Sequence, residues 1–161
     1  MKKGFLGAIA GTAAIASTLL MPGTASAATV YTSDQCSSNQ NIGCFVLEYT
    51  VSDSWGTGVC FVTNKSEYNH TGRSVTSGAT QTTYRYIFER RNWCASIGSG
   101  DMNGHGQALR NNAAWAQNRD TRAHTVYYSP GYYGAAKTYA VDQYGLLGSL
   151  RNDNASSKRS S

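Results

Sequence analysis

Short segments in which apolar and polar residues alternate recur along this chain and leave little room for helices. Phe45, Leu47, Tyr49 and Val51 share one parity, as residues on one face of a β-strand do. Further candidate strands cover residues 59–63, 84–88, 125–128 and 136–141. Clusters of Gly, Ser, Asn and Asp separate these segments and favour turns. The pattern predicts an all-β fold, an antiparallel sandwich or barrel, and argues against an α/β enzyme core.

Residues 1–27 have the pattern of a secretory signal peptide. Lys2 and Lys3 precede an apolar segment, 5–20, and Ala25-Ser26-Ala27 supplies the small residues of a cleavage site. The apolar segment is short and rich in Ala and Gly, and no basic cluster follows it, which argues against a retained membrane anchor. We therefore expect a secreted chain that begins at Ala28, forms one domain over 28–161 and works outside the membrane.

All four cysteines lie after this segment, and an even count in an exported chain of this size predicts two disulfides. Three pairings exist. Closure between near neighbours favours Cys36–Cys44, which leaves Cys60–Cys94. A zinc site is the competing interpretation, but the chain contains no Cys-x-x-Cys pair, and an oxidising compartment removes the thiolates that zinc needs.

The charge pattern gives no support to a nucleic-acid partner. The formal net charge is +5, and basic and acidic residues are interspersed. The nearest approach to a basic cluster is Arg90-Arg91, with Arg85 close by, and we interpret it as a solvated strand end.

Residues 64–83 form a polar insertion rich in Ser, Thr, Asn and Gly, in which Val75 is the only large aliphatic residue. We interpret this stretch as a surface loop, either a plain connection or a binding loop.

The chain offers no recognisable catalytic motif. His70, His105 and His124 lie in segments of different character, and each is expected at the surface. Neither Gly-x-Ser-x-Gly nor His-Glu-x-x-His occurs. We expect a protein that is not an enzyme and requires no cofactor.

A weak repeat divides the chain into two motifs. Tyr49 is followed after six residues by Gly56, and Tyr127 after six residues by Gly134. An aromatic residue on a strand, a tight hairpin and a glycine beneath the ring form one folded-hairpin unit. Two such units predict a two-motif Greek-key sandwich.

The end of the chain resembles the calcium-binding loop of βγ-crystallin domains. Its oxygen-bearing residues, which suit Ca²⁺, are Asn152, Asp153, Ser156 and Ser157. In the corresponding loop of the first motif, 111–116, Trp115 and Ala116 replace the hydroxyl residues. The alternative is that the Asx and Ser side chains cap the last turn without a metal.

With these motifs, the mature chain resembles the secreted, βγ-crystallin-like peptidase inhibitors of the Streptomyces metalloproteinase inhibitor type. The resemblance rests on the cysteine pair 36 and 44 leading into an aromatic strand, on Asn-Asn-Ala-Ala at 111–114, on 126–134 and on Asn-Asp-Asn-Ala-Ser at 152–156. It implies one domain with a first motif at about 43–116, interrupted by the insertion 64–83, and a second at about 124–161. It also implies an inhibitor of an extracellular endopeptidase, and we expect a monomer.

A loop held by a disulfide loses little conformational entropy when it binds a protease. The segments that flank Cys60 and Cys94 are the best placed for this role. The candidate protease-contact residues are Val59, Phe61, Trp93 and Ala95.

The alternative function is that of a secreted toxin, or of a protein that binds carbohydrate or the cell envelope. Tyrosine-rich faces suit sugar stacking as well as protein contacts. The candidate residues are Tyr127, Tyr128, Tyr132 and Tyr133. Because neighbouring residues on a strand point to opposite faces, one tyrosine of each adjacent pair is expected in the core.

Overall fold

The computed structural model describes residues 26–37, 43–50, 59–90, 94 and 103–161, and in these ranges the chain is all-β. The strands are β1 (Ser26–Thr32), β2 (Asp34–Gln35), β3 (Phe45–Glu48), β4 (Val59–Thr63), β5 (Gly72–Ser77), β6 (Thr80–Tyr86), β7 (Glu89–Arg90), β8 (Trp115–Asn118), β9 (His124–Ser129), β10 (Tyr133–Tyr139), β11 (Tyr144–Leu146) and β12 (Ser156–Arg159). Among the described residues, the only helical segment is a 3-10 turn, Gly148–Leu150. The predicted all-β fold class is confirmed. Within the same ranges, no helix is long and apolar enough to cross a membrane.

The strands form three sheets. The largest has the order β11-β8-β3-β4-β2, with β7 also paired to β4, and the other two are β10-β9-β12 and β1-β6-β5. We call the residues up to Asn118, the end of β8, the first half of the chain and the residues from His124, the start of β9, the second half. In the first half β8 returns beside β3, and in the second half β12 returns beside β9. Pairing also crosses between the halves. Strand β11 of the second half pairs with β8 of the first, and Glu67 of the first half bridges to Ser157 on β12 of the second. Each half therefore contributes to the sheet of the other.

The predicted strands are recovered where alternation extends over four residues or more. Strand β4 has the predicted bounds, and β3, β6, β9 and β10 overlap their predicted segments. Strands β2, β7 and β11 were missed because two or three residues are too few to display a period. Strands β8 and β12, of four residues each, were also missed.

The main core lies against one face of β3 and β4. Phe45 and Leu47 point into it from β3, and Val59 and Phe61 from β4, all with no exposed surface. Val126, Tyr139 and Leu150 from the second half are among the residues that complete the cluster. Burying each of these large apolar side chains contributes about 1.5–3 kcal/mol, so this shared core holds the two halves together.

The opposite face of β3 and β4 carries the disulfides. Cys36–Cys44 and Cys60–Cys94 have Cα separations of 6.0 and 5.9 Å, so the predicted pairing is confirmed. Cys44, Cys60 and Cys94 pack with Val46 and Val62 in a second apolar cluster. Strands β3 and β4 are therefore buried on both faces.

Two loops meet at the junction of the halves and bond to each other reciprocally. The Asn111 N–H donates to the Asn154 carbonyl (2.8 Å), and the Asn152 N–H donates to the Ala113 carbonyl (2.9 Å). Asn111 and Asn152 both adopt left-handed backbone angles, with φ of 59° and 60°. The segments 111–114 and 152–155, aligned from sequence, thus occupy matching positions.

The polar insertion contains a regular hairpin, so its interpretation as a loop is wrong for residues 72–83. Strand β5 pairs with β6 from Gly72–Arg85 to Ser77–Thr80, and Gly78 and Ala79 form the turn. Cross-strand backbone pairing stabilises this hairpin despite its few apolar side chains. We call residues 72–86 the projecting hairpin.

Strand β1 adds to this hairpin in parallel with β6. It starts at Ser26, and its register places Ala28 opposite Thr82. Cleavage after Ala27, as the sequence predicts, would remove the first two residues of β1 and leave the strand from Ala28 onward in place.

The Asn154 amide makes three buried hydrogen bonds that link the halves, to the Leu109 carbonyl, the Ala113 N–H and the His70 ring. We expect Asn154→Ala to lower the free energy of unfolding by roughly 3 kcal/mol, because it leaves these buried groups without partners. Urea denaturation measures the loss.

The matched control is Asn112→Ala. Asn112 lies in the corresponding loop of the first half, and its amide donates to the Ala108 carbonyl at the surface. Its loss should lower the unfolding free energy by less than about 1 kcal/mol. Equal losses in the two variants would contradict a special role for Asn154.

Candidate binding site

The predicted protease-contact residues do not form an exposed surface in the described structure. Val59 and Phe61 are fully buried, and the Phe61 ring packs 4.9 Å from the ring of Tyr86. The prediction that these two side chains contact a protease is therefore wrong, because β4 lies inside the largest sheet. Trp93 and Ala95 lie outside the described residues.

Two of the three histidines are buried, contrary to the expectation from sequence. His70 and His124 have no exposed surface, whereas His105 is exposed. The residues next to His70 in the sequence are polar, so the local pattern indicated a surface position. Segments distant in the chain bury it, and local composition cannot reveal them.

His70 belongs to a buried polar network with Asn154 and Ser157. The Asn154 Oδ1 accepts from the Ala113 N–H (2.8 Å), and Nδ2 donates to the Leu109 carbonyl and to His70 Nδ1 (both 2.9 Å). The backbone thus fixes the orientation of the amide. His70 Nδ1 is an acceptor, so the proton is on Nε2, which lies 3.0 Å from Ser157 Oγ.

This tautomer decides what the His70–Ser157 pair can do. A histidine that activates a serine must accept its hydroxyl proton, whereas His70 donates its own proton to Ser157. Burial also lowers the pKa of His70 from 6.5 to about 3. The network is a neutral structural contact and not a nucleophile with its base.

His124 is held in a second polar cluster at the start of β9. Its Nε2 lies 2.8 Å from Asp120 Oδ2, and its ring stacks on Phe45 at 4.6 Å. Arg159 on β12 binds the same carboxylate in a bidentate manner, at 2.6 and 2.9 Å. Burial raises the pKa of Asp120, but the hydrogen bonds from Arg159 and His124 outweigh it and lower this pKa to about 2.

Acidification should destabilise the fold through His70. Below pH 6.5 His70 is protonated in the unfolded chain, whereas in the folded chain it stays neutral down to about pH 3. The contribution of neutral His70 to the free energy of unfolding is therefore fully present above pH 6.5 and is lost between pH 6.5 and about 3. We expect His70 to contribute a loss of roughly 1.4 kcal/mol per pH unit from pH 6 to 5. Urea denaturation at each pH measures the slope.

Two other buried groups also make stability depend on pH: the raised pKa of Glu67 makes acidification stabilising, and the lowered pKa of His124 makes it destabilising. The difference in slope between the parent and His70→Gln therefore isolates the contribution of His70. The slope should be shallower in His70→Gln and unchanged in His105→Gln, the exposed control. Carbon-13 NMR of His70 should show a neutral ring at pH 5, and a charged ring would contradict the assignment.

The four residues of the predicted calcium loop do not form a preformed cation site. Asn152 and Asp153 are exposed, whereas Ser156 and Ser157 are fully buried on β12. The Ser156 hydroxyl donates to the Ser129 carbonyl (2.7 Å) and accepts from the Tyr132 N–H (3.1 Å). The Ser157 hydroxyl accepts a hydrogen bond from His70 Nε2 (3.0 Å). In the described ranges, no three His, Cys, Asp or Glu side chains gather around one point.

We accordingly expect calorimetry of chelator-treated protein to detect at most one weak Ca²⁺ site. Coordination by the two serine hydroxyls would require breaking buried hydrogen bonds, which is unfavourable. Two tight sites would contradict this account, and Asp153→Asn serves to locate any weak one.

The projecting hairpin is the most extended exposed element of the described chain. Residues 73–81 are exposed on both faces of the ribbon. Among the described strands β5 pairs only with β6, so its outer edge presents backbone N–H and C=O groups. Gly72 permits the close start of β5, because a Cβ there would lie 1.8 Å from the Tyr84 carbonyl oxygen.

The base of the hairpin is fixed in the core. The buried Tyr86 hydroxyl donates to Glu67 Oε2 (2.7 Å), and the Thr63 hydroxyl donates to Oε1 (2.7 Å). Burial raises the pKa of Glu67. Since Tyr86 also packs on Phe61, the hairpin is anchored to the strand that carries Cys60.

The tyrosines near the β9–β10 turn are all at least partly exposed. Tyr128 and Tyr133 are exposed, and Tyr127 and Tyr132 are half-buried. The expectation that one of each adjacent pair is in the core is wrong. The left-handed backbone of Tyr132, with φ of 68°, interrupts strand alternation at the turn.

Comparisons with protein-family models, curated proteins and solved structures find no match to this chain. We therefore infer function from the surfaces of the described residues. Sequence reasoning missed the hairpin and the exposed Tyr68, which lies within the polar insertion. Strand β5 contains one apolar side chain larger than glycine, Val75, so no alternation of apolar and polar residues marked it.

Proposed function

We propose that the mature chain is a secreted, monomeric inhibitor of an extracellular endopeptidase and has no enzymatic activity of its own. The signal-peptide pattern of residues 1–27 and the two disulfides support an oxidising, extracellular location. The resemblance to βγ-crystallin-like inhibitors points in the same direction, and the reciprocal loops 111–114 and 152–155 agree with it. The proposal involves no cofactor and no nucleic-acid partner.

The observation that carries the proposal is the open edge of β5. Many proteins recognise an extended peptide by adding it as a strand to an exposed sheet edge, and endopeptidases bind their substrates in extended form. The outer half of the hairpin presents such an edge with exposed side chains from Arg73 to Ser77. In this proposal the edge lies along the protease cleft as a substrate would.

Rigidity explains why such a strand would inhibit the protease. The hairpin is paired on its other side with β1, and its base is tied to the core by Tyr86 and Glu67. Little conformational entropy is then lost on binding. Phe61 packs on Tyr86 at the base of the hairpin and does not touch the protease.

The test is inhibition of a panel of metallo-, serine and cysteine endopeptidases by the mature chain 28–161. We expect inhibition of at least one enzyme at micromolar protein, where even a complex of about 8 kcal/mol is detected. Lack of inhibition across the panel would overturn the proposal.

A truncated hairpin tests the contact surface. Replacing residues 76–81 with Asn-Gly joins Val75 to Thr82, which are already paired in register, and removes only the outer end. We expect inhibition to fall at least tenfold while the unfolding midpoint changes little. The control places Asn-Gly at Gly78 and Ala79 in a hairpin of native length, and it should inhibit like the parent. Undiminished inhibition by the truncated chain would place the contact elsewhere.

A further inference from the structure

The half-buried ring of Tyr132 is the centre of an aromatic cluster that joins distant parts of the chain. The rings of Tyr68 and Tyr127 lie 5.7 and 5.9 Å from it, centroid to centroid. The Lys158 ammonium on β12 lies 5.8 Å from the same ring centre. We call Tyr68, Tyr127, Tyr132 and Tyr133, together with Lys158, the tyrosine cluster.

Gly131 brings Tyr133 into this cluster. A Cβ at Gly131 would lie 3.0 Å from the Tyr68 hydroxyl oxygen and about as close, 3.1 Å, to the edge of the Tyr133 ring. With φ of 76°, this position also favours glycine over other residues. The two most exposed rings of the cluster therefore both approach the point where a side chain at this position would begin.

The turn that carries these rings is fixed from two sides. The Ser156 hydroxyl bonds both to the Ser129 carbonyl and to the Tyr132 N–H, and the Gly131 N–H donates to the Tyr68 carbonyl (2.8 Å). The rings are thus preorganised, and a ligand would not have to order the loop.

None of these rings belongs to the main core. Tyr68 is 66% exposed and Tyr133 is 70% exposed. Exposed, fixed aromatic rings with phenolic hydroxyls combine an apolar face with a hydrogen-bonding edge. A group of such rings suits a ligand that presents both apolar faces and polar groups.

We propose that the tyrosine cluster binds an acidic glycan, a sugar chain that carries carboxylate groups. The C–H faces of the sugar rings stack on Tyr68 and Tyr133, and the phenolic hydroxyls bond to the sugar hydroxyls. Lys158, whose ammonium lies 5.8 Å from the centre of the Tyr132 ring, pairs with a sugar carboxylate, which fits the positive net charge of the chain. This site uses residues other than the projecting hairpin, so it goes beyond the proposed inhibition.

Calorimetry of the mature chain with an oligogalacturonide, and with a neutral cello-oligosaccharide of equal length, tests this proposal. We expect tighter binding of the acidic chain. Tyr68→Ala and Tyr133→Ala should each weaken it roughly tenfold, the effect of losing one stacked ring. Tyr31→Ala is the matched control, because Tyr31 is also 66% exposed but lies on β1, and it should bind like the parent.

Lys158→Gln separates the contribution of charge from that of ring stacking. It should weaken binding of the oligogalacturonide severalfold and leave binding of the neutral oligosaccharide unchanged. The proposed glycan site would be overturned if neither oligosaccharide bound at millimolar concentration. It would also be overturned if the parent and both tyrosine variants bound equally well. Loss of protease inhibition in Tyr133→Ala without any glycan binding would assign the cluster to a protein partner. The truncated hairpin should retain glycan binding whether or not it inhibits a protease.

Discussion

The buried amide of Asn154 contacts three segments that are far apart in the chain: the Leu109 carbonyl, the Ala113 N–H and the ring of His70. A buried amide is tolerated only when its donors and acceptors are satisfied, so these segments must come together around it. The same contact fixes the tautomer of His70 and, through it, the position of Ser157 on β12. The junction of the two halves is therefore specified by polar contacts within a mostly apolar interior.

The disulfides cover the face of β3 and β4 that lies away from the main core. A sheet in a thin sandwich has one face on the core and one towards water, and a short chain has few residues with which to cover the second face. Here Cys44, Cys60 and Cys94 pack with Val46 and Val62 on that outer face. Strands β3 and β4 are buried on both sides, and a rigid centre supports the projecting hairpin through Phe61 and Tyr86.

Polar chemistry is divided between the interior and the surface. His70, His124, Asp120 and Glu67 are buried and engaged in hydrogen bonds that hold segments together. The described surface instead offers an open strand edge and a group of fixed tyrosines, features suited to recognition. The two proposed binding functions depend on these two surface features.

The sequence alone determined what depends on near neighbours. Alternation identified β3, β4, β9, β10 and the end of β6, and closure between near cysteines identified Cys36–Cys44 and, with it, Cys60–Cys94. Only the tertiary structure decided what depends on distant partners. His70 is buried by Ser157 and Asn154, more than eighty residues away. Tyr68 joins the rings of the β9–β10 turn, and the polar insertion forms strands by pairing its backbone with β1. Backbone pairing and long-range burial leave no period in the side chains, so composition predicted a loop where the chain forms a hairpin.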